Sequence, residues 1–459
     1  MSLDIRVGLS SLEITPPLDL PMAGFAARSL PATGVHDALY VRSLVVAGDE
    51  PGDPTTALVV ADLIGIAPHD ALAIRRSIER ELAIPASAVL FATTHTHGGP
   101  STDERNGDSA EVRAFVANLC DRAVACTAEA MRTMVPARMV LKFGREATIG
   151  KNRRRPGGVV DPAVQTVRIE DATGDVIGIV CSYACHPVTL GPDNRLLTAD
   201  YPGAVVRTLE AAYPGAIGLF VTGCAGQINT GHTAEASLSI RPNELRTFSE
   251  MTRIGRAIAG AAVQANEHAT GPRGTPSAIA PAPQASTQVA AVTIEVDAPR
   301  LPVDEPDVLR EQAGQWRRKA DSLLDQGDSP SADHDRLMRW ADWAERTAGA
   351  HHLPSIQLDV TAMRWGDIIV VGLPGEPFVE FALEIRRRTE SHVVVFGYAN
   401  GVPGYVPHRS AYDEGGYEVL HAHRVYAAPA AFAPEAGERL VEAAVSAIKI
   451  LKRQEQQAR

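Results

Sequence analysis

The chain lacks a long apolar run, is poor in aromatic residues and carries no excess of positive charge. No stretch approaches the ~18 residues that a membrane-spanning helix needs. The start, Met1-Ser2-Leu3-Asp4-Ile5-Arg6, has neither the charged nor the apolar block of a secretory signal. A formal charge of −11 argues against a basic face for nucleic acid or anionic membrane. Aromatic residues make up only 5% of the 459, which offers little for an interfacial anchor. Five cysteines, an odd number in so long a chain, do not form a disulfide framework and suit a reducing cytosol. Cys181 and Cys185 stand roughly 13 Å apart along an extended strand, which favours core thiols over a shared metal ion. These absences lead to a cytoplasmic protein acting on a small molecule, without nucleic acid or membrane anchor; a homo-oligomer stays open.

What is present can fill a large core, with 45% hydrophobic residues. Residues 40–48, 56–65, 87–92, 137–144, 164–170, 176–184, 216–222, 356–363 and 367–373 read as strands. Residues 69–83, 109–134, 201–213, 378–388 and 434–452 read as helices. The alternation predicts an α/β fold with a mixed sheet. Residues 272–287, rich in Pro, Ala and Ser, read as a surface connection. Residues 304–350 carry Trp316, Trp340 and Trp343 among many charges, split by Gly327-Asp328-Ser329-Pro330, and read as an inserted helical hairpin. The expected organisation is one catalytic domain over 1–459, with 272–355 as connection and hairpin.

The chemistry-bearing residues fall at strand ends. Thr94-His95-Thr96-His97-Gly98 follows the apolar run Ala88-Val89-Leu90-Phe91-Ala92 and is cut off by Gly99-Pro100. Histidines at i and i+2 at the end of a strand can look into one cleft, and imidazole serves both as metal ligand and as acid/base. A pair of capped or solvated histidines is the plainer reading. Strand 176–184 runs into Cys185-His186-Pro187, and strand 367–373 into Pro374-Gly375-Glu376-Pro377. Nitrogen and oxygen ligands from separate strand ends are what an open catalytic zinc site needs. His186 could equally cap a strand, and Glu376 could cap the helix that follows.

Taken together, these segments resemble the neutral ceramidases, zinc-dependent amidohydrolases, over nearly the whole chain. Val7-Gly8 through Glu13-Ile14-Thr15-Pro16, Met22-Ala23-Gly24-Phe25, and Gly34-Val35-His36 with Arg42-Ser43 are similar to that family's start. Thr94 to Pro100 resembles its THTHSGP motif, Asn152-Arg153 its NRS segment, Cys185-His186-Pro187 its IHP segment and Pro374-Gly375-Glu376 its PGE turn. Gly404-Tyr405-Val406 and Tyr417-Glu418 resemble its paired tyrosines. The resemblance implies Zn²⁺ held by His95, His186, Glu376 and Tyr405, with His97, Arg153 and Tyr417 lining the substrate carbonyl. Arg153-Arg154-Arg155 could instead be a solvated basic turn, and Tyr417 a packed loop aromatic.

Two departures qualify what the resemblance implies. The family's GDVSPN segment carries a serine proposed as nucleophile, where this chain reads Gly226-Gln227-Ile228-Asn229-Thr230. Asparagine cannot attack a carbonyl, but its amide can donate to an oxyanion or hold a water. Direct attack by zinc-bound hydroxide is therefore expected, with Thr230 or Cys224 as substitute nucleophiles left open. The chain also ends in helix 434–452 and the charged run Lys452-Arg453-Gln454-Glu455-Gln456-Gln457, with no sign of the family's C-terminal immunoglobulin-like domain. The expectation is hydrolysis of an amide or other C–N bond in a soluble small substrate. An esterase or lactonase, or a degenerate metal-binding homologue, are the alternatives.

Overall fold

The computed structural model describes residues 5–25, 27–28, 30–50, 52–102, 109–233, 244–267, 288–324, 332–390 and 393–458. Two sheets lie face to face between two layers of helices, a mixed α/β arrangement. The larger sheet has eight strands. From one edge to the other they are Ile217–Thr222, Val176–Tyr183, Ala163–Asp171, Val135–Arg145, Ile5–Glu13, Tyr40–Gly48, Thr55–Ala61 and Val89–Thr93. Most neighbours are antiparallel, but the pair at each edge is parallel. The smaller sheet runs Val289–Pro299, Ser355–Trp365, Ile368–Gly372 and Val393–Phe396, its last pair again parallel.

Alternation along the strands explains the layering. On one face of the small sheet Val370, Val394 and Phe396 pack with Leu58, Val60, Leu90 and Val221 of the large sheet. The next residues along, Val371, Val393 and Val395, point the other way. They pack against helices Val379–Thr389 and Pro434–Ala458. The outer face of the large sheet is covered in two halves. Helices Pro68–Leu82 and Ala110–Arg132 cover Val41, Val59, Val89 and Phe91, while helices Asp200–Ala212 and Phe248–Glu267 cover Ile179, Cys181 and Phe220. Sheets buried on both faces read as near-continuous apolar runs, which is why most of these strands are visible in the sequence.

Elements that escape the sequence reading include strands Ile5–Glu13, Val289–Pro299 and Val393–Phe396, and helix Phe248–Glu267. The last helix also runs on to Ala458, past the expected end at 452. Helices Pro306–Leu324 and Ala332–Ala348 leave the small sheet between its two antiparallel strands Val289–Pro299 and Ser355–Trp365 and pack on each other through Leu309, Ala313, Ala341, Trp343 and Ala344. The expected surface connection 272–287 and the Gly327–Pro330 break lie outside the described residues.

Parallel edges bring several strand C-termini to one place. Val89–Thr93, Val176–Tyr183, Ile217–Thr222, Ile368–Gly372 and Val393–Phe396 end together, and backbone bonds tie the two sheets there. Gly397 N donates to Thr222 O at 3.0 Å, Thr93 N to Tyr398 O at 3.1 Å and Asn400 N to Phe91 O at 2.7 Å. Ligand sites of α/β proteins form outside such strand ends.

Candidate metal centre

His95 comes two residues after its strand, in the left-handed conformation (φ 62°). For a side chain with a Cβ this costs about 1–2 kcal/mol. The twist turns the imidazole inward, where Nδ1 meets Ile64 O at 2.5 Å. The strand stops at Thr93, yet both rings still face one cleft, with centroids 5.1 Å apart. Strand Thr55–Ala61 is also shorter than the expected 56–65. Asp62 leaves the ladder to accept from Tyr40 N and from Arg42 Nη1, each at 2.9 Å, and Ile64 is freed to serve His95.

His186 is wholly buried. Its Nδ1 faces two carbonyls, Ala225 O at 2.6 Å and Ile228 O at 3.2 Å. Carbonyl oxygens only accept, so in both His95 and His186 Nδ1 carries a proton and Nε2 is left to face the site. Both Nε2 atoms point at one oxygen of Glu376. Oε2 lies 2.8 Å from His186 and 3.3 Å from His95. Burial lowers the His186 pKa to about 4 despite the nearby carboxylate, so the ring is neutral at pH 7. Burial would raise Glu376, but the histidines around it outweigh that and hold it well below the usual carboxylate range. Two imidazole Nε2 atoms thus converge on one oxygen of a buried carboxylate, a nitrogen and oxygen set that a cation would join.

Glu376 reaches this point from a turn only glycine can make. Gly375 has φ 76°, and a Cβ there would meet Gly404 O at 2.8 Å. Glu376 N then donates to Gly404 O at 2.9 Å, and Glu376-Pro377 pairs in parallel with Tyr405-Val406. This pairing carries Tyr405 to the site, its hydroxyl 3.4 Å from His186 Nε2. Glu376 does not cap the next helix, whose N-cap is Phe378.

His97 completes a group of three histidines whose ligand atoms lie within 4.8 Å of one another. Both of its ring nitrogens are buried without a hydrogen-bond partner, as is His95 Nε2. Burial, followed by the neighbouring His95 and His186, pushes the His97 pKa well down. The ring tilts against Phe25 at 5.0 Å, and Arg28 Nη2 donates to His97 O at 2.7 Å. At Gly24 (φ 106°) a Cβ would come within 2.8 Å of His97, which accounts for glycine in the Ala23-Gly24-Phe25 cradle.

Arg153 and Arg154 are not a solvated basic turn. Their side chains are 8% and 10% exposed, and they share the carboxylate of Glu418, itself 2% exposed, at 2.7 and 2.6 Å. Arg153 also donates to Gly226 O at 3.0 Å and stands 5.5 Å from the Tyr405 ring centroid. Only Arg155 fits the solvated reading, at 67% exposed. Tyr417 is half-buried, its ring edge-on to Tyr405 at 5.8 Å.

Asn229 is drawn into its own turn. Its Nδ2 donates to His232 O at 2.5 Å and its Oδ1 accepts from Gly231 N at 2.9 Å. Cys224 is a core thiol packed with Phe378 and Val395, its pKa pushed up to about 12 by burial, which makes it a poor nucleophile. Thr230 Oγ1 is buried and has no hydrogen-bond partner.

Sequence reasoning overlooks Tyr398 and Tyr426. Tyr398 stacks on His95 with centroids 4.1 Å apart, and Tyr426 donates its phenol proton to Glu376 Oε1. A signal existed for the first: Gly397-Tyr398-Ala399-Asn400-Gly401 ends an apolar run as abruptly as the histidine segment does. For the second there was none.

No protein-family model matches the chain. Among curated proteins it is 24% identical over 494 residues to a neutral ceramidase of Mycobacterium tuberculosis (strain ATCC 25618 / H37Rv), covering 90% of this chain and 73% of the relative. It is 24% identical over 234 residues to the neutral ceramidase of Drosophila melanogaster, 46% of this chain. The chain spans about a third of the length of the fly relatives it matches, 33% and 32%. Among solved structures, neutral ceramidase from Pseudomonas aeruginosa matches with a TM-score of 0.71 at 20% identity, over 97% of this chain and 75% of that one. A ceramidase complexed with C2 matches at 0.73 and 17% identity, over 99% and 76%. The chain is neutral ceramidase-like. The two solved ceramidase structures share its mixed α/β fold.

Proposed function

We propose that this chain is a zinc-dependent hydrolase of amide bonds, with His95, His186, Glu376 and Tyr405 as the metal ligands. The observation that carries the reading is the pair of imidazoles, each with Nδ1 held by a backbone carbonyl, whose Nε2 atoms meet one oxygen of a buried carboxylate. Ligand atoms about 2.0–2.1 Å from a tetrahedral zinc stand roughly 3.3 Å apart. The spacings here are 2.8, 3.3 and 3.4 Å. Two neutral nitrogens, one carboxylate and a phenol suit Zn²⁺, and the carbonyls behind each Nδ1 fix the tautomers. Zinc bound there would acidify a water and polarise a carbonyl.

The remaining work falls to the chain's own residues. His97 is neutral and has both nitrogens unengaged, so it can accept a proton from water or donate one to a leaving amine. Arg153 holds its charge against the Tyr405 ring and, with Tyr417, borders the place where a carbonyl oxygen would gain charge. Asn229 can use only the N–H its turn leaves over. The names of the relatives support an amide as the bond cleaved. Soluble small substrates and a cytoplasmic setting complete the proposal, the latter resting on five free cysteines.

The test is elemental analysis of the full chain with an amide and ester panel. About one zinc per chain is expected, with large metal loss in His95→Ala and His186→Ala. Full occupancy in both variants, or no hydrolysis of any amide by the zinc-loaded protein, would sink the reading.

A further inference from the structure

What holds Glu376 so that one oxygen alone meets the histidines follows from the metal-site reading above, and rests on it. Oε2 faces His186 and His95, while Oε1 accepts the phenol proton of Tyr426. Tyr426 comes directly after the short helix Ala422–Val425. The chain reverses there through two bonds, Ala427 N to Arg424 O at 3.1 Å and Ala428 N to His423 O at 2.9 Å. This closure needs a left-handed residue, usually glycine, at the position Ala427 takes with φ 48°. Alanine there costs about 1–2 kcal/mol, and the turn it makes aims Tyr426 at Glu376.

The segment is gripped from outside by the two helices Pro306–Leu324 and Ala332–Ala348. The Arg424 guanidinium lies 5.2, 5.0 and 5.3 Å from the ring centroids of Trp316, Trp340 and Trp343. Trp343 Nε1 donates to Ala428 O at 2.9 Å, and Trp340 stacks on His421 at 5.7 Å. These are three of the chain's four tryptophans. All three converge on the stretch from Tyr417 to Ala428, which also delivers Tyr417 and Glu418 to the site.

We propose that Tyr426 is a positioning residue for Glu376, and that the tryptophan cage closed on Arg424 keeps Tyr426 in place. The phenol occupies Oε1, so the carboxylate meets the histidines through Oε2 alone. Supporting partners of this kind change metal affinity about 10–100-fold when lost.

The full chain, stripped and reloaded with Co²⁺ or Zn²⁺, tests this by chelator competition and by the visible absorption of the cobalt form. Tyr426→Phe should bind metal 10–100-fold more weakly and shift the cobalt bands, with its melting temperature in the metal-free form close to wild type. Arg424→Ala should weaken binding through the same tyrosine, so adding it to Tyr426→Phe should cost little more. Arg424→Lys, which keeps a cation in the cage, should restore most of the affinity and covers the case in which Arg424→Ala does not fold. Wild-type affinity and an unchanged spectrum in Tyr426→Phe would overturn the role of Tyr426. Fully additive losses would overturn that of the cage. A wild-type chain that binds no metal would overturn the underlying site reading as well.

Discussion

Replacing Glu376 by glutamine should stabilise the metal-free protein while it removes the metal. In the wild type Nε2 of His186 presents a lone pair to Oε2 at 2.8 Å, and both groups are buried. A glutamine amide donates instead, gaining a buried hydrogen bond worth about 1 kcal/mol. An unfolding entropy near 2.1 cal/mol/K per residue makes each kcal/mol about 1 °C for 459 residues unfolding together. Chelator-treated Glu376→Gln should therefore melt about 1 °C or more above chelator-treated wild type. Zinc should reverse the order. Wild type at one hundred times its dissociation constant gains about 2.7 kcal/mol, and the variant, with a ligand removed, gains far less. Thermal unfolding of both proteins with and without chelator reads all four states. A metal-free variant less stable than metal-free wild type, or an equal zinc shift in both, would refute the lone-pair argument.

Asn229→Ala should lower kcat on the order of 10²-fold with little change in KM and none in zinc content, if the amide serves the transition state. Steady-state kinetics decides it, and retained kcat with a lowered melting temperature would leave Asn229 as a turn residue alone. Glu418→Gln should destabilise by about 3 kcal/mol at pH 7, since it leaves two buried guanidiniums short of a charge. Burial raises the Glu418 pKa, but Arg153 and then Arg154 outweigh it, and the folded value lies below normal. The stabilisation is therefore complete above about pH 5 and lost as pH falls below the usual glutamate value of about 4.3. Melting curves should show the gap between wild type and variant closing in acid, and a gap independent of pH would count against the pair.

The sequence showed where the chemistry sits better than it showed what supports it. Val89–Thr93, Val176–Tyr183 and Ile368–Gly372 were legible because strands buried on both faces are apolar throughout, and each ends at a polar residue and a proline or glycine. Val289–Pro299 was not, because its exposed and half-buried positions carry Thr293, Glu295 and Asp297 amid small residues, which dilutes its apolar signal. His95, His186 and Glu376 could be picked out singly. Their meeting depends on the parallel edge pairs that bring distant strand ends together, and that register is a property of the folded sheets.

Tyr426 illustrates what no local pattern can carry. Nothing in Val425-Tyr426-Ala427 marks a residue that acts on a carboxylate fifty positions earlier. The contact exists because Ala427 accepts a left-handed turn and because Arg424 is pinned among three tryptophans. A metal ligand must be chemically apt, and so its residue type is restricted and visible. The residues that aim the ligand need only fill space and close hydrogen bonds in one geometry, which many sequences can do. The same asymmetry separates Arg153, set beside an asparagine in a readable motif, from Glu418, whose burial between two arginines emerges only once the loop has folded.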